Sequence, residues 1–172
     1  MLPPPLKSRV DARAPFDESP HALPSFNVPT YKLFKIAGIG WATFCGGPLA
    51  GGVLLALNSR RLGHQKLARQ QLFFSALATL AMGVVTFLAT AFWGRAGDAG
   101  FRGMAIGALA ATIAYARHAQ GLSISVHRTV GATFVSNWKA LGIGILVLLG
   151  EFALVMAVLM ILLLTGLFNP FP

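Results

Sequence analysis

The sequence contains few charged residues and very few acidic ones. Only 11% of its 172 residues are charged, whereas about a quarter are charged in soluble globular domains. Five residues are acidic, 55% are hydrophobic, and the mean hydropathy is +0.68. This composition excludes an ordinary soluble domain and predicts an integral membrane protein.

The sequence also lacks the motifs that carry enzymatic chemistry. Its single cysteine, Cys45, excludes an internal disulfide, and its four histidines are not spaced as metal ligands on one helical face. It has no nucleophile elbow, phosphate-binding loop, dinucleotide fingerprint or pair of carboxylates. Its basic residues have no interleaved aromatic platform for nucleic acid. We therefore expect no catalytic residues, no cofactor, no metal and no nucleic-acid partner.

Four long apolar segments are present, at residues 36–57, 72–93, 101–116 and 140–168. A transmembrane helix needs about 20 apolar residues, so the second and fourth segments are long enough to cross a bilayer. The third reaches only about 24 Å, and it spans if the side chains of Arg102 and Arg117 extend to the two interfaces. The sequence predicts an all-α integral membrane protein with three transmembrane helices and a broken first segment.

The amino-terminal residues 1–30 differ from the rest of the chain. They contain seven prolines, mixed charges and no apolar run, so they cannot bury a core. We expect this tail to be disordered and to contain no cleavable signal peptide. Residues 31–172 are predicted to form one helical membrane domain.

The first apolar segment contains four glycines and a proline within seven residues, Gly46, Gly47, Pro48, Gly51 and Gly52. Each glycine weakens a helix by about 1 kcal/mol relative to alanine, and an interior proline by about 3 kcal/mol. The helix is therefore expected to break here. Two interpretations remain: a re-entrant hairpin that returns to the face it entered, or a kinked fourth spanning helix.

The distribution of basic residues favours the hairpin. If all four segments cross, seven Lys and Arg residues lie on each side of the membrane, and the positive-inside asymmetry disappears. If the first segment returns, twelve lie on the cytoplasmic side and only Arg95 and Arg102 on the other. This topology places the amino terminus in the cytoplasm and the carboxyl terminus in the periplasm of a bacterial inner membrane.

Glu151 is the one ionisable residue deep within the fourth segment, about 16 Å from its start and near the bilayer midplane. An intramembrane carboxylate costs at least about 2.5 kcal/mol and indicates a functional or structural role. A half-helix from residue 36 to Gly46 has the same length, so we expect Glu151 to lie level with the glycine turn and either to stabilise the turn or to face a small polar cavity beside it. A protonated Glu151 that hydrogen-bonds Thr79, Thr86 or Thr112 is the alternative.

Two further groups of residues predict interactions. Gly103, Gly107 and Ala111 form a small-residue stripe that suits close helix packing, either within the chain or in a homo-oligomer. Two polar segments, residues 58–71 and 117–139, are predicted to be cytoplasmic loops that face anionic lipid headgroups or a membrane-protein partner. Their basic residues are Arg60, Arg61, Lys66, Arg69, Arg117, Arg128 and Lys139.

The segment TFCGGPLAGG at residues 43–52, with Asn58 and the basic run Arg60-Arg61-Leu62-Gly63, resembles a family of small uncharacterised bacterial integral membrane proteins. The resemblance implies a bacterial inner-membrane protein and no particular activity. We expect a non-enzymatic accessory or scaffold subunit with a basic cytoplasmic face. The alternative is a small oligomeric transporter or channel that uses the broken segment and Glu151.

Overall fold

The computed structural model describes residues 28–93 and 95–166. A two-residue strand, β1 (Leu33–Phe34), precedes α1 (Ile36–Arg61), which is followed by α2 (Gln65–Trp93) and α3 (Arg95–Thr129). A second short strand, β2 (Phe134–Val135), then leads into α4 (Asn137–Leu164). The fold is all-helical, apart from the parallel pairing of β1 with β2.

The helix α1 is broken where the sequence predicts a break. Gly46 and Gly47 have non-helical backbone angles, and Gly47 adopts φ +64° and ψ −168°, a combination open almost only to glycine. Pro48 then opens the second half, where its missing N–H breaks no helical bond. The helix therefore consists of two half-helices, residues 36–45 and 48–61.

The two half-helices run in opposite directions. The side chain of Asn58, near the end of the second half, hydrogen-bonds the backbone of Phe34, just before the first half. An unbroken helix would separate these residues by about 35 Å. A Cβ added at Gly51 would also collide with Thr43, eight residues earlier. The chain thus reverses at Gly46 and Gly47.

This helical hairpin lies at the centre of the bundle, in contact with α2, α3 and α4. In the most apolar stretch of α1, 61% of the residues are buried, whereas no residue in the corresponding stretches of α2 and α4 is fully buried within the chain. Large apolar side chains along α2 and α4, such as Phe87 and Leu154, are exposed. The three outer helices therefore surround the hairpin and present their apolar side chains outward.

Small residues allow α4 to pack closely against the first half-helix. A Cβ added at Gly144 would lie 2.8 Å from the Cα of Ala42, and one added at Gly38 would lie 3.1 Å from the Cβ of Ala140. Gly46 similarly meets the carbonyl of Gly144. Because β1 and β2 pair in parallel immediately before these helices, α4 and the first half-helix also start side by side.

Three helices in the described part of the chain are long and apolar enough to cross a membrane: Ile36–Arg61, Gln65–Phe92 and Asn137–Leu164. The criterion considers only length and composition. Helix α1 satisfies it although its two halves fold back on each other. The longest helix, α3, has 35 residues and is not among the three.

The helices extend beyond the predicted segments. Residues 58–71 were predicted to be a loop, but only residues 62–64 lie between α1 and α2. The predicted loop at 117–139 is also wrong for most of its length, because α3 continues to Thr129. Polarity alone suggested that these segments are exposed to solvent. Several of their polar residues are instead buried and hydrogen-bonded. Helix α4 ends at Leu164, and residues 167–172, like most of the predicted tail, lie outside the described residues.

Candidate functional site

A buried amide network joins the hairpin to the rest of the bundle at the end where β1 lies. The Asn58 side chain is fully buried; its Oδ1 accepts from the Phe34 N–H at 2.8 Å, and its Nδ2 donates to the Phe34 carbonyl at 3.0 Å. The same Nδ2 donates to Gln120 Oε1 on α3 at 3.0 Å. One side chain therefore connects the chain before α1, the second half-helix and α3.

Gln120 and Ser59 extend this network to α2. Gln120 Nε2 donates to the Leu55 carbonyl at 2.8 Å and to Ser59 Oγ at 3.0 Å. Ser59 Oγ in turn donates to Gln71 Oε1 at 2.8 Å. Asn58, Ser59, Gln71 and Gln120 are all at least 95% buried, so each bond is shielded from water. The network holds the second half-helix in position against β1, α2 and α3.

Basic side chains gather at the same end of the bundle, which we call the basic end. Lys35 Nζ lies 5.5 Å from the centre of the Phe134 ring, and the Arg61 guanidinium lies 5.3 Å from that of Phe34. The pairing of β1 with β2 and the hydrogen bonds of Asn58 to Phe34 and Gln120 lie at this end, so residues close to them in the sequence also lie here. Its Lys and Arg residues are Lys32, Lys35, Arg60, Arg61, Lys66, Arg69, Arg117, Arg128 and Lys139.

Within residues 28–150, the basic end has almost no compensating negative charge. Between residues 28 and 150 the sequence has one acidic residue, Asp98, which lies at the opposite end, near the start of α3. A cavity of about 640 Å³ opens at the basic end, and it is lined by His64 of the α1–α2 turn, Lys66 of α2, and Gln120 and Ser123 of α3. An anionic group is the chemically complementary ligand for this surface.

A second cavity, of about 410 Å³, lies at the tip of the hairpin, and we call it the tip cavity. Gly47 and Pro48 of the hairpin and Glu151 of α4 all line it. Glu151 and the glycine turn therefore border the same cavity. The remaining wall is mostly apolar and comes from the hairpin and all three outer helices: Thr43, Phe44, Cys45, Thr79, Met82, Gly83, Ala105, Ile106, Ala108, Leu109 and Leu148.

Glu151 makes none of the hydrogen bonds expected from the sequence. Its Oε1 is buried and has no hydrogen-bond partner among the described residues. Thr79 Oγ1 instead accepts from the Leu49 N–H at 3.0 Å, capping the second half-helix, and Thr112 Oγ1 donates to the Ala108 carbonyl at 2.8 Å. Thr86 Oγ1 is itself buried without a partner. Glu151 thus lies beside the turn without being bonded to it.

The structure separates the predicted glycines into two roles. Gly47 lines the tip cavity, and Gly46 packs on the Gly144 backbone. Gly51 and Gly52 serve packing, since an added Cβ at Gly51 would meet Thr43 and Thr112, and one at Gly52 would meet Ser75. The stripe on α3 is different. Among the described residues, nothing outside the backbone of α3 itself lies within 4 Å of an added Cβ at Gly103 or Gly107, and Ala111 is exposed.

The amide network and the helix cap at Thr79 were not predicted from the sequence. A signal for the network exists in α3, where Ala116, Gln120, Ile124 and His127 recur at helical spacing and are all at least 96% buried. Gln120 and His127 therefore belong to a buried face, although both are polar. Nothing in the local sequence distinguishes Thr79 from the other threonines of the apolar helices.

Comparison of the chain with protein-family models, with curated proteins and with solved structures gives no match.

Proposed function

We propose that this chain is a non-enzymatic protein of a bacterial inner membrane, an accessory or scaffold subunit that presents its basic end to anionic lipid headgroups and to a membrane-protein partner. The observation that carries the proposal is the collection of nine Lys and Arg residues at one end of the bundle, with no carboxylate from residues 28–150 beside them. Basic residues near a membrane surface attract anionic lipid by about 1 kcal/mol each.

The proposed topology has α2, α3 and α4 crossing the membrane while α1 enters and leaves on the cytoplasmic side. The bond between Asn58 and Phe34 supports it, because both ends of α1 then lie at one bundle end. The positive-inside rule supports a cytoplasmic location for that end. Non-helical backbone at Gly46 and Gly47 is tolerated in a bilayer when protein surrounds it, as the outer helices do here.

Cysteine labelling in intact cells tests this topology. In a Cys45→Ser background, His64→Cys marks the α1–α2 turn and Gly100→Cys marks the opposite end; both positions are exposed. We expect an impermeant maleimide to label position 100 from outside, and position 64 only after the membrane is permeabilised. Labelling of position 64 from outside would exclude the re-entrant hairpin.

Lipid selectivity tests the role of the basic end. The full chain is reconstituted in nanodiscs of equal phosphatidylglycerol and phosphatidylcholine, and the lipid retained after mild detergent extraction is quantified by mass spectrometry. We expect phosphatidylglycerol to be enriched, and the triple variant Arg60→Gln, Lys66→Gln, Arg69→Gln to reduce the enrichment at least about tenfold. Arg102→Gln, at the opposite end, is the matched control. Equal retention of both lipids by the unaltered chain would contradict lipid recognition.

Affinity purification in mild detergent tests the scaffold role. A partner present in stoichiometric amount, and lost from the triple variant but not from Arg102→Gln, is the expected result. A homo-oligomer without any other protein would argue against an accessory subunit and would favour the second candidate below.

That second candidate is a small, oligomeric transporter or channel, and the tip cavity is the observation that favours it. Discontinuous helices with exposed ends line substrate sites in many transporters, and here the broken α1 and Glu151 share one cavity within the bundle. The exposed Gly103, Gly107 and Ala111 offer a surface for a second copy. Counterflow of a radiolabelled substrate into proteoliposomes, abolished by Glu151→Gln, would support it.

A further inference from the structure

The tip cavity contains one ionisable carboxylate and no group that would balance its charge. No Lys, Arg or His is among the described residues that line it, and Glu151 Oε1 has no hydrogen-bond partner among them. The first half-helix ends and the second begins at the tip, so the negative partial charge of one terminus and the positive partial charge of the other largely cancel there. An ionised Glu151 in this wall would remain uncompensated, which is costly in an apolar environment.

The backbone at the start of the second half-helix offers Glu151 no free N–H from its first two residues. Pro48 has no N–H to donate to the Phe44 carbonyl, and the Leu49 N–H, which would serve Cys45 in an unbroken helix, is held by Thr79. Phe44 and Cys45 both line the cavity. The uncompensated carboxylate therefore favours a positively charged occupant.

The walls distinguish an organic cation from a metal ion. Inorganic cations of the alkaline-earth type need six or more oxygen ligands, and the described residues contain no group of three His, Cys, Asp or Glu side chains that could hold a metal. The cavity of about 410 Å³ is mostly apolar and lies within the range of small-molecule sites, roughly 300 to 1,000 Å³. Phe44, one of its walls, is 69% exposed and so borders the outside of the bundle.

We propose that the tip cavity binds a small organic cation, an amine or quaternary ammonium group on an apolar body, with the Glu151 carboxylate as its counter-ion. The apolar body contacts the side chains of α2, α3 and α4, and the cationic group lies against Glu151. This site is separate from the basic end, and it does not require that the ligand be transported.

Cys45 provides a native probe, because it lines the cavity and is the only cysteine in the chain. The full chain in nanodiscs is treated with a cationic methanethiosulfonate, the trimethylammonioethyl reagent, or an anionic one, the sulfonatoethyl reagent. Mass spectrometry gives the two rate constants. Their ratio cancels any change in the reactivity of the thiol itself, since both reagents attack the same group.

We expect the cationic-to-anionic rate ratio to be at least about tenfold higher in the unaltered chain than in Glu151→Gln. Thr86→Val is the matched control, because it alters a buried unpartnered polar group that does not line the cavity, and it should keep the original ratio. An unchanged ratio in Glu151→Gln would overturn the proposal, as expected if Glu151 is simply protonated. Labelling only after denaturation would overturn it too, because the cavity would then be closed.

A pair of ligands tests the same site without any variant. Benzyltrimethylammonium and neopentylbenzene have nearly the same shape and differ in charge. We expect the first to slow labelling of Cys45 at least about fivefold, and the second to slow it much less. Equal protection by both would show an apolar cavity without cation selectivity and would overturn the proposal. Because no basic-end residue is altered, this result is independent of the lipid experiments.

Discussion

The side-chain amide of Asn58 pairs with both backbone groups of Phe34, accepting from its N–H at 2.8 Å and donating to its carbonyl at 3.0 Å. An asparagine side chain thus supplies the hydrogen bonds that a neighbouring strand would otherwise provide. The interaction closes a loop of 24 residues and holds the two ends of the broken helix together.

Asn58→Leu is expected to destabilise the fold strongly. Leucine has a similar volume but leaves the Phe34 N–H and carbonyl unpaired, and each unsatisfied buried group costs about 1–3 kcal/mol. We expect a total loss of roughly 3 kcal/mol, measured as the shift in thermal unfolding in detergent. Gln70→Leu, at an exposed position on α2, is the control and should change stability by less than about 0.5 kcal/mol. Equal effects of the two substitutions would show that the network does not stabilise the hairpin.

Gly144→Ala and Gly107→Ala should have opposite effects. A Cβ at Gly144 would lie 2.8 Å from the Ala42 Cα and 2.9 Å from its carbonyl oxygen, so α4 must move away from the hairpin. Such overpacking costs about 1–3 kcal/mol. At Gly107 an added Cβ meets nothing within 4 Å, and alanine should stabilise the helix of the monomer by up to about 1 kcal/mol. Thermal unfolding of both variants checks the contrast.

Gly47→Ala is expected to destabilise the hairpin although space is available. An added Cβ has no neighbour within 4 Å, so the cost arises from the backbone, whose φ of +64° and ψ of −168° are strained for any L side chain. We expect a loss of about 1–3 kcal/mol in unfolding free energy. Gly83→Ala, another glycine with open space but within a regular helix, is the control. A neutral Gly47→Ala variant would mean that the turn relaxes easily.

Thr79→Val should weaken the second half-helix at its start. Thr79 Oγ1 accepts from the Leu49 N–H at 3.0 Å, and loss of a helix cap costs about 1 kcal/mol. We expect faster hydrogen exchange in residues 48–52, followed by mass spectrometry of peptides. Thr90→Val serves as the comparison, because Thr90 bonds only the carbonyl of Thr86 within its own helix. If exchange rises equally in both variants, the cap does not stabilise the turn.

Much of the architecture could be predicted because it depends on local backbone chemistry. The break at Gly46, Gly47 and Pro48 follows from helix propensity, and the structure contains it at these residues. The level of Glu151 beside the turn follows from the rise per residue of two helices that begin at the same end of the bundle. Both inferences need only lengths and residue types.

The polar segments were misread for a physical reason. Asn58, Gln71 and Gln120 are polar, yet each is buried because it finds partners on another element. Hydropathy treats such residues as solvated, so the predicted loops were too long. The packing glycines show the same limitation. Gly144 packs tightly on Ala42 while Gly107 faces open space, although both belong to small-residue patterns.

The sequence by itself determined that the chain forms helices long and apolar enough to cross a membrane, because only 11% of its residues are charged and its apolar segments are long. It also determined where the first helix breaks. Only the tertiary structure decided that the broken helix reverses and lies at the centre of the bundle, because the bond between Asn58 and Phe34 joins residues 24 positions apart. The tertiary structure also decided that Glu151 borders a cavity and has no hydrogen-bond partner among the described residues. The positions of the threonines on the neighbouring helices determine this, and Thr79 bonds Leu49 instead.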